Sequence, residues 1–239
     1  MKLSDFFDKI FIIGSINSAN VEHTINCLKQ LDLYDENVMQ YIYPSLNDIQ
    51  ISLDMNNDVN WRQDYTLSLA LSHYSIIKQS YDAGFNHILI LEDDNFFLNN
   101  IMVWTSILTN MPGDYNMLKF AGLNMTKNEY GEGSPLPMCD ELIYNDYFRK
   151  ITYLDHQYLW QFSAAAYALD RTAMEIYLYN QHDEFRVADD VNGVFKLRNA
   201  TDNNNINIYM PIIPLIVPFG DIQKYGCRWY IDYTPENYI

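Results

Sequence analysis

One stretch of the sequence, HILILEDD at residues 87–94, decides how the rest of the chain is interpreted. Its unbroken apolar run, ILIL, is typical of a strand that is covered on both faces, as in a parallel sheet flanked by helices. Glu92, Asp93 and Asp94 follow this run directly. Ligands of open α/β sheets bind beyond the carboxyl ends of the parallel strands, so the three carboxylates are predicted to lie at a binding site.

The sequence before this stretch alternates between strand and helix patterns. Residues 9–13 form an apolar run that ends at Gly14, and residues 38–43 form a second run of β-branched and aromatic residues before Pro44. Between them, apolar residues recur at helical spacing over residues 21–31. A longer helix is predicted over residues 64–81, with Leu67, Leu71, Tyr74, Ile77 and Tyr81 on its apolar face and Gly84 just beyond its end. The pattern indicates an α/β fold with a mostly parallel central sheet.

The second half of the chain continues this alternation after a long irregular segment. Helices are predicted over residues 100–109, from Asp170 to residue 179 and from Asp189 onward, and strands over residues 117–121 and 163–169. Residues 211–218 form an apolar extended segment broken by Pro214. Residues 123–147, rich in Gly, Pro, Asn and acidic residues, are interpreted as a functional loop. No repeat and no linker is visible, so residues 1–239 are expected to form a single domain.

The net charge of the chain limits the kinds of molecule that it is expected to bind. With a formal net charge of −16 and no basic run, the protein is expected to bind neither nucleic acid nor anionic membrane surfaces. Cys27, Cys139 and Cys227 are far apart and form no metal-binding pair, as is common in a reducing compartment. The sequence contains no secretory leader and no transmembrane segment, so a cytoplasmic location is expected.

The three adjacent carboxylates are best explained by a bound cation. Ionised carboxylates repel each other, and a divalent cation removes that conflict. Because all the ligands are oxygen atoms, Mn²⁺ or Mg²⁺ is favoured over zinc. Two alternatives stay open: the triplet solvates the strand end and caps the following helix, or it belongs to a phosphatase, nuclease or receiver domain.

Three segments in order, SLALSHY at 68–74, AGF at 83–85 and ILILEDD at 88–94, resemble the family 25 glycosyltransferases. That family includes lipopolysaccharide sugar transferases and the collagen galactosyltransferases. Weaker matches are DKIFII at 8–13, MPGDY at 111–115, AYALDR at 166–171, DD at 189–190 and GDI at 220–222. The chain departs from the family pattern at residues 14–20, which contain no basic residue, and at Gly220, where the family has serine.

The resemblance implies a GT-A-like nucleotide-sugar-binding sandwich, in which a mostly parallel central sheet is flanked by helices. It also implies that Asp94, together with Glu92, holds a metal ion on the donor diphosphate. Glu92 and Asp93 are expected to contact the ribose or a metal-bound water. Ile12 and Gly14, at the end of the first strand, are expected to lie against the donor.

Three further residues are candidates for catalysis. Asp190, and beside it Asp189, could act as the base that accepts the proton of the acceptor hydroxyl, although both could simply cap a helix. His73 lies beside Tyr74 on the predicted long helix. A lone helical histidine is commonly structural, and only the resemblance makes His73 a candidate for ordering the site.

The function expected from these observations is the metal-dependent, inverting transfer of a hexose, galactose or glucose, from a UDP-sugar donor to a glycan or glycoconjugate acceptor. One alternative is a family member that binds nucleotide-sugar or glycan without turnover. Another is an unrelated Mg²⁺-dependent phosphotransfer enzyme. The chain has no G-x-x-x-x-G-K-[ST] sequence, which argues against a P-loop enzyme.

Overall fold

The computed structural model of the chain describes residues 1–14, 18–42, 61–121, 144–151, 165–181, 206–213, 215–218 and 237–239. The predicted surface loop at residues 47–60, most of the predicted functional loop at 123–147 and the predicted helix that begins at Asp189 lie outside these residues.

The described part of the chain contains a short 3₁₀ helix, Leu3–Asp5, four α-helices and nine strands. The helices are α1 (Ala19–Gln30), α2 (Trp61–Asp82), α3 (Ile101–Thr109) and α4 (Arg171–Gln181). The strands are β1 (Lys9–Gly14), β2 (Val38–Ile42), β3 (His87–Glu92), β4 (Asn95–Phe97), β5 (Met117–Lys119), β6 (Phe148–Ile151), β7 (Ala166–Asp170), β8 (Ile208–Pro211) and β9 (Ile216–Pro218).

Seven of the described strands form one sheet in the order β2-β1-β3-β7-β5-β8-β6. β2, β1, β3, β5 and β8 run in one direction, while β7 and the edge strand β6 run in the opposite direction. β4 and β9 pair in a separate two-stranded sheet. This arrangement confirms the expected fold class, an α/β protein with a mostly parallel central sheet. The sequence did not indicate that an antiparallel strand, β7, separates β3 from β5.

The helices flank the sheet on both faces and bury two apolar clusters against it. One cluster contains residues of α1 and α3, and the other contains residues of α2 and α4. β3 contributes to both clusters, since Leu89 and Leu91 lie in the first and Ile88 and Ile90 in the second. The apolar run of β3 is therefore covered on each side, as the sequence predicted.

The buried face of α2 is more polar than the sequence predicted. The sequence predicted an apolar face of Leu67, Leu71, Tyr74, Ile77 and Tyr81, of which Leu67 and Leu71 lie outside the described side chains. Among the described side chains of α2, the buried ones are Ser72, His73, Ile76, Ile77 and Ser80. Tyr74 and Tyr81 are half-buried and pack against the same apolar cluster as Ile77. Hydrophobic periodicity located the helix but did not indicate that three polar residues are buried on it.

Three of the predicted helix ends are confirmed, whereas α2 begins at Trp61, three residues before the predicted start. The side chain of Asn100 accepts hydrogen bonds from the backbone N–H groups of Met102 and Val103 at the start of α3. Asp170 Oδ1 accepts from the Ala173 N–H at the start of α4. α2 ends at Asp82, two residues before Gly84, whose φ of +81° lies in the left-handed region that favours glycine.

Candidate functional site

The candidate site lies at the carboxyl-terminal edge of the sheet, where β1 and β3 both end. Ile13 of β1 pairs with Glu92 of β3, so Gly14 and Asp93 leave their strands side by side. α1 begins close by, with Ser18 as its N-cap. The backbone N–H groups at a helix N-terminus carry partial positive charge, which favours anionic groups nearby. The edge that the sequence predicted therefore brings together two strand ends and one helix N-terminus.

The three consecutive carboxylates do not point in one direction. Side chains alternate between the faces of a strand, and this alternation continues past the end of β3. The Glu92 carboxylate reaches His73 of α2, on one side of the sheet. The Asp93 carboxylate reaches Ser18 of α1, on the other side. Asp94 follows, half-buried, in the turn before β4.

Glu92 ends a line of hydrogen-bonded groups that runs into the core. His73 Nε2 lies 3.1 Å from Glu92 Oε1, and His73 Nδ1 lies 2.7 Å from the Tyr167 hydroxyl. The two rings stack, with centroids 5.6 Å apart and planes inclined by 18°. His73 and Tyr167 are completely buried, whereas the Glu92 side chain is 15% exposed.

The acceptor-only character of an ionised carboxylate settles the direction of the hydrogen bond between His73 and Glu92. His73 must carry a proton on Nε2 to donate to Glu92. A neutral His73 then accepts at Nδ1, so the Tyr167 hydroxyl donates to it. Burial raises the pKa of the Tyr167 hydroxyl well above its ordinary value, with smaller contributions from Tyr177 and Glu92, so this group keeps its proton. The line runs from the Tyr167 hydroxyl through His73 to Glu92.

Asp93 is held by α1 through both its side chain and its backbone. The Ser18 hydroxyl donates to Asp93 Oδ2 over 2.7 Å, and the Thr24 hydroxyl donates to the Asp93 carbonyl over 3.2 Å. Burial raises the pKa of the Asp93 carboxyl, and the Ser18 hydrogen bond opposes this rise. Asp93 therefore fixes the end of β3 to the first turns of α1.

Gly14 is required by the closeness of these groups. A Cβ atom at this position would overlap Cγ2 of Val21 and would lie 2.7 Å from Oδ2 of Asp93. Ile12, two residues earlier, is completely buried, and its neighbours on both sides are β2 and β3. Of the two residues expected to lie against the donor, Gly14 is at the edge of the sheet and Ile12 is in its core.

Asn95 holds the backbone at the end of the triplet. Its buried side-chain amide donates to the carbonyl of Glu92 over 2.6 Å and to the carbonyl of Ala165 over 2.9 Å. Ala165 directly precedes β7, and its carbonyl also accepts from the Glu92 N–H. The turn after β3 is thus joined to the start of β7.

The residues at this edge fit a hard divalent cation in part. Glu92 and Asp94 offer the carboxylate oxygens that Mg²⁺ and Mn²⁺ prefer. In the described part of the chain, however, no three His, Cys, Asp or Glu side chains gather closely enough to enclose a metal ion. Mg²⁺ at phosphate sites is commonly held by one or two carboxylates, with water and substrate phosphate as the other ligands. Glu92 and Asp94 suit that kind of open site and not a closed, all-protein one.

The structure brings only some of the sequence-predicted residues together. Glu92, Asp93, Asp94 and Gly14 share the sheet edge. His73 lies behind Glu92, too deeply buried to touch a ligand itself. Asp189 and Asp190, the predicted bases, lie outside the described residues.

Sequence reasoning missed several residues that the fold brings to this edge. Tyr167 lies in the weaker match AYALDR, at residues 166–171, but sequence reasoning assigned this side chain no role. Lys119 is completely buried and pairs with Tyr167 across the β5–β7 ladder, so both side chains lie on the same face of the sheet. Ser18 and Thr24 carry no distinctive signal, because such residues are ordinary at the start of a helix.

Comparison with known proteins adds to the description of the fold. No protein family matches the sequence, and no curated protein matches it. Among solved structures, the chain is similar to mannose-1-phosphate geranyltransferase from Thermus thermophilus, with a TM-score of 0.41 and 12% identity over 85% of this chain and 72% of that one. It is also similar to the glycosyltransferase GlyE of Streptococcus pneumoniae, with a TM-score of 0.35 and 9% identity over 88% of this chain and 54% of that one.

These similarities are of fold alone, and this chain spans about half the length of GlyE. Both proteins are transferases by name. No α-helix in the described part of this chain is long and apolar enough to cross a bilayer.

Proposed function

We propose that the protein is a metal-dependent glycosyltransferase that takes a UDP-hexose donor, with galactose or glucose as the sugar, and a glycan or glycoconjugate acceptor. The proposal includes Mn²⁺ or Mg²⁺ as the cation and inversion at the anomeric carbon. It rests on the sequence resemblance, on the α/β fold and above all on one structural observation. That observation is the placement of Glu92, Asp93 and Asp94 at the edge where two parallel strands end beside the N-terminus of α1.

This placement suits a nucleoside diphosphate. The chain carries a net charge of −16, so a diphosphate needs a source of positive charge. A cation held by Asp94 and Glu92 would supply it and would neutralise the charge that develops on the leaving diphosphate. The N-terminus of α1 adds N–H groups with partial positive charge. We assign Glu92 and Asp94 to the cation, whereas Asp93 is held by the Ser18 hydroxyl.

The protein residues would orient the donor and move one proton. The bond between the anomeric carbon and the diphosphate oxygen breaks as the acceptor hydroxyl oxygen attacks that carbon, through an oxocarbenium-like state. The acceptor proton passes to a carboxylate, for which Asp190 is the predicted base and Asp189 its neighbour. Gly14 lets the end of β1 pack directly against Val21 and Asp93, which keeps the end of β3 beside the first turns of α1.

The decisive experiment is calorimetric titration of the protein with UDP, with Mn²⁺ present and again in EDTA. Binding should require the cation, because basic residues are scarce near the triplet. Equal affinity in the two conditions would overturn the metal-bridged site. Release of sugar from UDP-galactose and UDP-glucose, measured with and without Mn²⁺, then tests turnover.

A second candidate is a protein that binds nucleotide-sugar or glycan without turnover. The absence of a basic residue in residues 14–20 favours this alternative, because the related enzymes carry arginine there. The two functions differ in one outcome. A binding protein gives a calorimetric signal with UDP and Mn²⁺ but releases no sugar from any donor, whereas a transferase does both.

A further inference from the structure

We propose that Tyr167 and His73 are positioning residues that hold the Glu92 carboxylate in the orientation in which it meets a bound nucleotide or its cation. This inference rests on the proposed function, because it assigns a purpose to the Glu92 side chain at that site. It adds two residues, neither of which touches the ligand.

The line of contacts crosses three elements of the fold. Tyr167 comes from β7, His73 from α2 and Glu92 from the last position of β3. The Tyr167 hydroxyl donates to His73 Nδ1 over 2.7 Å, and His73 Nε2–H donates to Glu92 Oε1 over 3.1 Å. Only the last member of the line reaches solvent, since His73 and Tyr167 are completely buried. A ligand at the sheet edge can therefore be affected by the two inner residues only through Glu92.

A glutamate at the end of a strand has several side-chain rotamers of similar energy. One fixed hydrogen bond to Oε1 selects among them and removes rotational freedom before a ligand binds. The donor at that bond is itself fixed, because the second ring nitrogen of His73 is held by Tyr167. The arrangement parallels the way in which a hydrogen-bonded outer partner orients a metal ligand.

Packing alone does not account for these side chains. Burying an imidazole and a phenol hydroxyl is unfavourable unless both are hydrogen-bonded, and apolar side chains of similar size would fill the same space. Ser72 and Ser80 are also buried on α2, but a serine hydroxyl is small, and that of Ser80 has no hydrogen-bond partner among the described residues. His73 instead directs both ring nitrogens at side chains of two strands, and through it α2 reaches the triplet.

Two substitutions at one position separate positioning from packing. The side-chain amide nitrogen of glutamine reaches the place of Nε2, so His73→Gln retains a donor to Glu92 and loses the contact with Tyr167. Asparagine is shorter and reaches the place of Nδ1, so His73→Asn loses the donor to Glu92. Both variants remove the ring, so both lose the packing of the ring against Tyr167.

Calorimetric titration with UDP and Mn²⁺ and thermal unfolding are then measured on both variants. We expect His73→Gln to bind within about threefold of the wild-type affinity and His73→Asn to bind roughly 10-fold or more weakly, the usual effect of losing an outer partner. Equal affinities, or a weaker His73→Gln, would overturn the inference and leave His73 a packing residue.

A second pair of substitutions, each of which removes a single hydroxyl group, tests Tyr167. Tyr167→Phe removes one oxygen atom that is two hydrogen bonds away from the Glu92 carboxylate. Tyr177→Phe is the matched control, since Tyr177 is equally buried in the same apolar cluster and is not part of the line. Tyr167→Phe should weaken UDP–Mn²⁺ binding, and Tyr177→Phe should not. The same effect in both variants would refute a specific role for Tyr167.

A measurement without ligand keeps this inference distinct from the proposed function. The proton on His73 Nε2 should give an exchange-protected NMR signal in the wild-type protein, which shifts in Tyr167→Phe and becomes exposed to exchange in Glu92→Ala. An unshifted signal in both variants means that the line does not exist. A wild-type protein that shows this signal but binds no UDP, with or without Mn²⁺, refutes the proposed function and with it the purpose assigned to Glu92.

Discussion

Replacing Gly14 with alanine should destabilise the protein, because the added methyl group has no free space. The new Cβ would overlap Cγ2 of Val21 and would lie 2.7 Å from Oδ2 and 3.0 Å from Cγ of Asp93. Val21 is 3% exposed and packs in the core, and Asp93 is tied to Ser18. Neither neighbour can move aside as a flexible surface side chain could.

The expected size of the effect follows from these two conflicts. Overpacking of a core costs about 1–3 kcal/mol, and two simultaneous conflicts with fixed neighbours place Gly14→Ala near the upper end, at about 3 kcal/mol. In a domain of this size, that change lowers the melting temperature by roughly 6–12 °C. Urea unfolding and thermal unfolding of the purified variant measure both quantities.

A second substitution identifies the conflict that matters most. Val21→Ala removes the overlapping methyl group, and by itself it should cost about 1–3 kcal/mol through lost packing. In the Gly14→Ala background the same change relieves the overlap, so the two substitutions should show a favourable coupling of about 1 kcal/mol or more. Strict additivity, or a Gly14→Ala variant within about 0.5 kcal/mol of the wild type, would refute the packing argument.

Four other substitutions test the site and the residues that support it. Asp94→Asn should abolish turnover and weaken donor binding together. Asp190→Asn should leave donor binding unchanged and lower turnover by roughly 10²-fold. Normal turnover in Asp190→Asn would exclude Asp190 as the base. Asn95→Leu should cost about 2–3 kcal/mol in urea unfolding, because the carbonyls of Glu92 and Ala165 each lose a hydrogen bond, and a neutral result would contradict this. Burial raises the pKa of the Asp170 carboxyl in the folded protein, so ionisation of this group destabilises the folded state. The stability of the wild-type protein therefore falls as the pH rises through the raised pKa. Asp170→Asn still caps α4, and its melting temperature relative to the wild type should therefore increase from about pH 4 to pH 7; a decrease would contradict the burial argument.

Local features of the sequence predicted much of the fold. The ILIL run, the cap at Asp170 and the turn at Gly84 each depend on a few neighbouring residues, and the structure has them in the predicted places. Such features follow from steric limits and unsatisfied backbone groups, which any stretch of the same sequence would share.

Contacts between segments that are far apart in the sequence could not be predicted from such local features. The pairing of β3 with β7 joins segments that are far apart in sequence, and no pattern in residues 166–170 shows that β7 is antiparallel. The burial of polar residues on α2 was missed because His73 is buried for its hydrogen bonds and not for its hydrophobicity. Glu92 and Asp93 point to opposite faces of the sheet because successive side chains of a strand alternate between the two faces. This could be deduced only after β3 was known to extend to Glu92.

The central position of β7 also affects how the chain folds during synthesis. β1, β2 and β3 all precede residue 93, and they can form a three-stranded sheet as soon as they leave the ribosome. β3 is then an edge strand whose apolar side chains face both ways, which is the kind of edge that attracts pairing with other chains. At the usual rate of translation, roughly 80 further residues must be added over about 4–16 s before β7 can cover it. The strand that places the carboxylates at the site is therefore open to mispairing throughout that interval, and we expect β3 to contribute to chaperone dependence during expression.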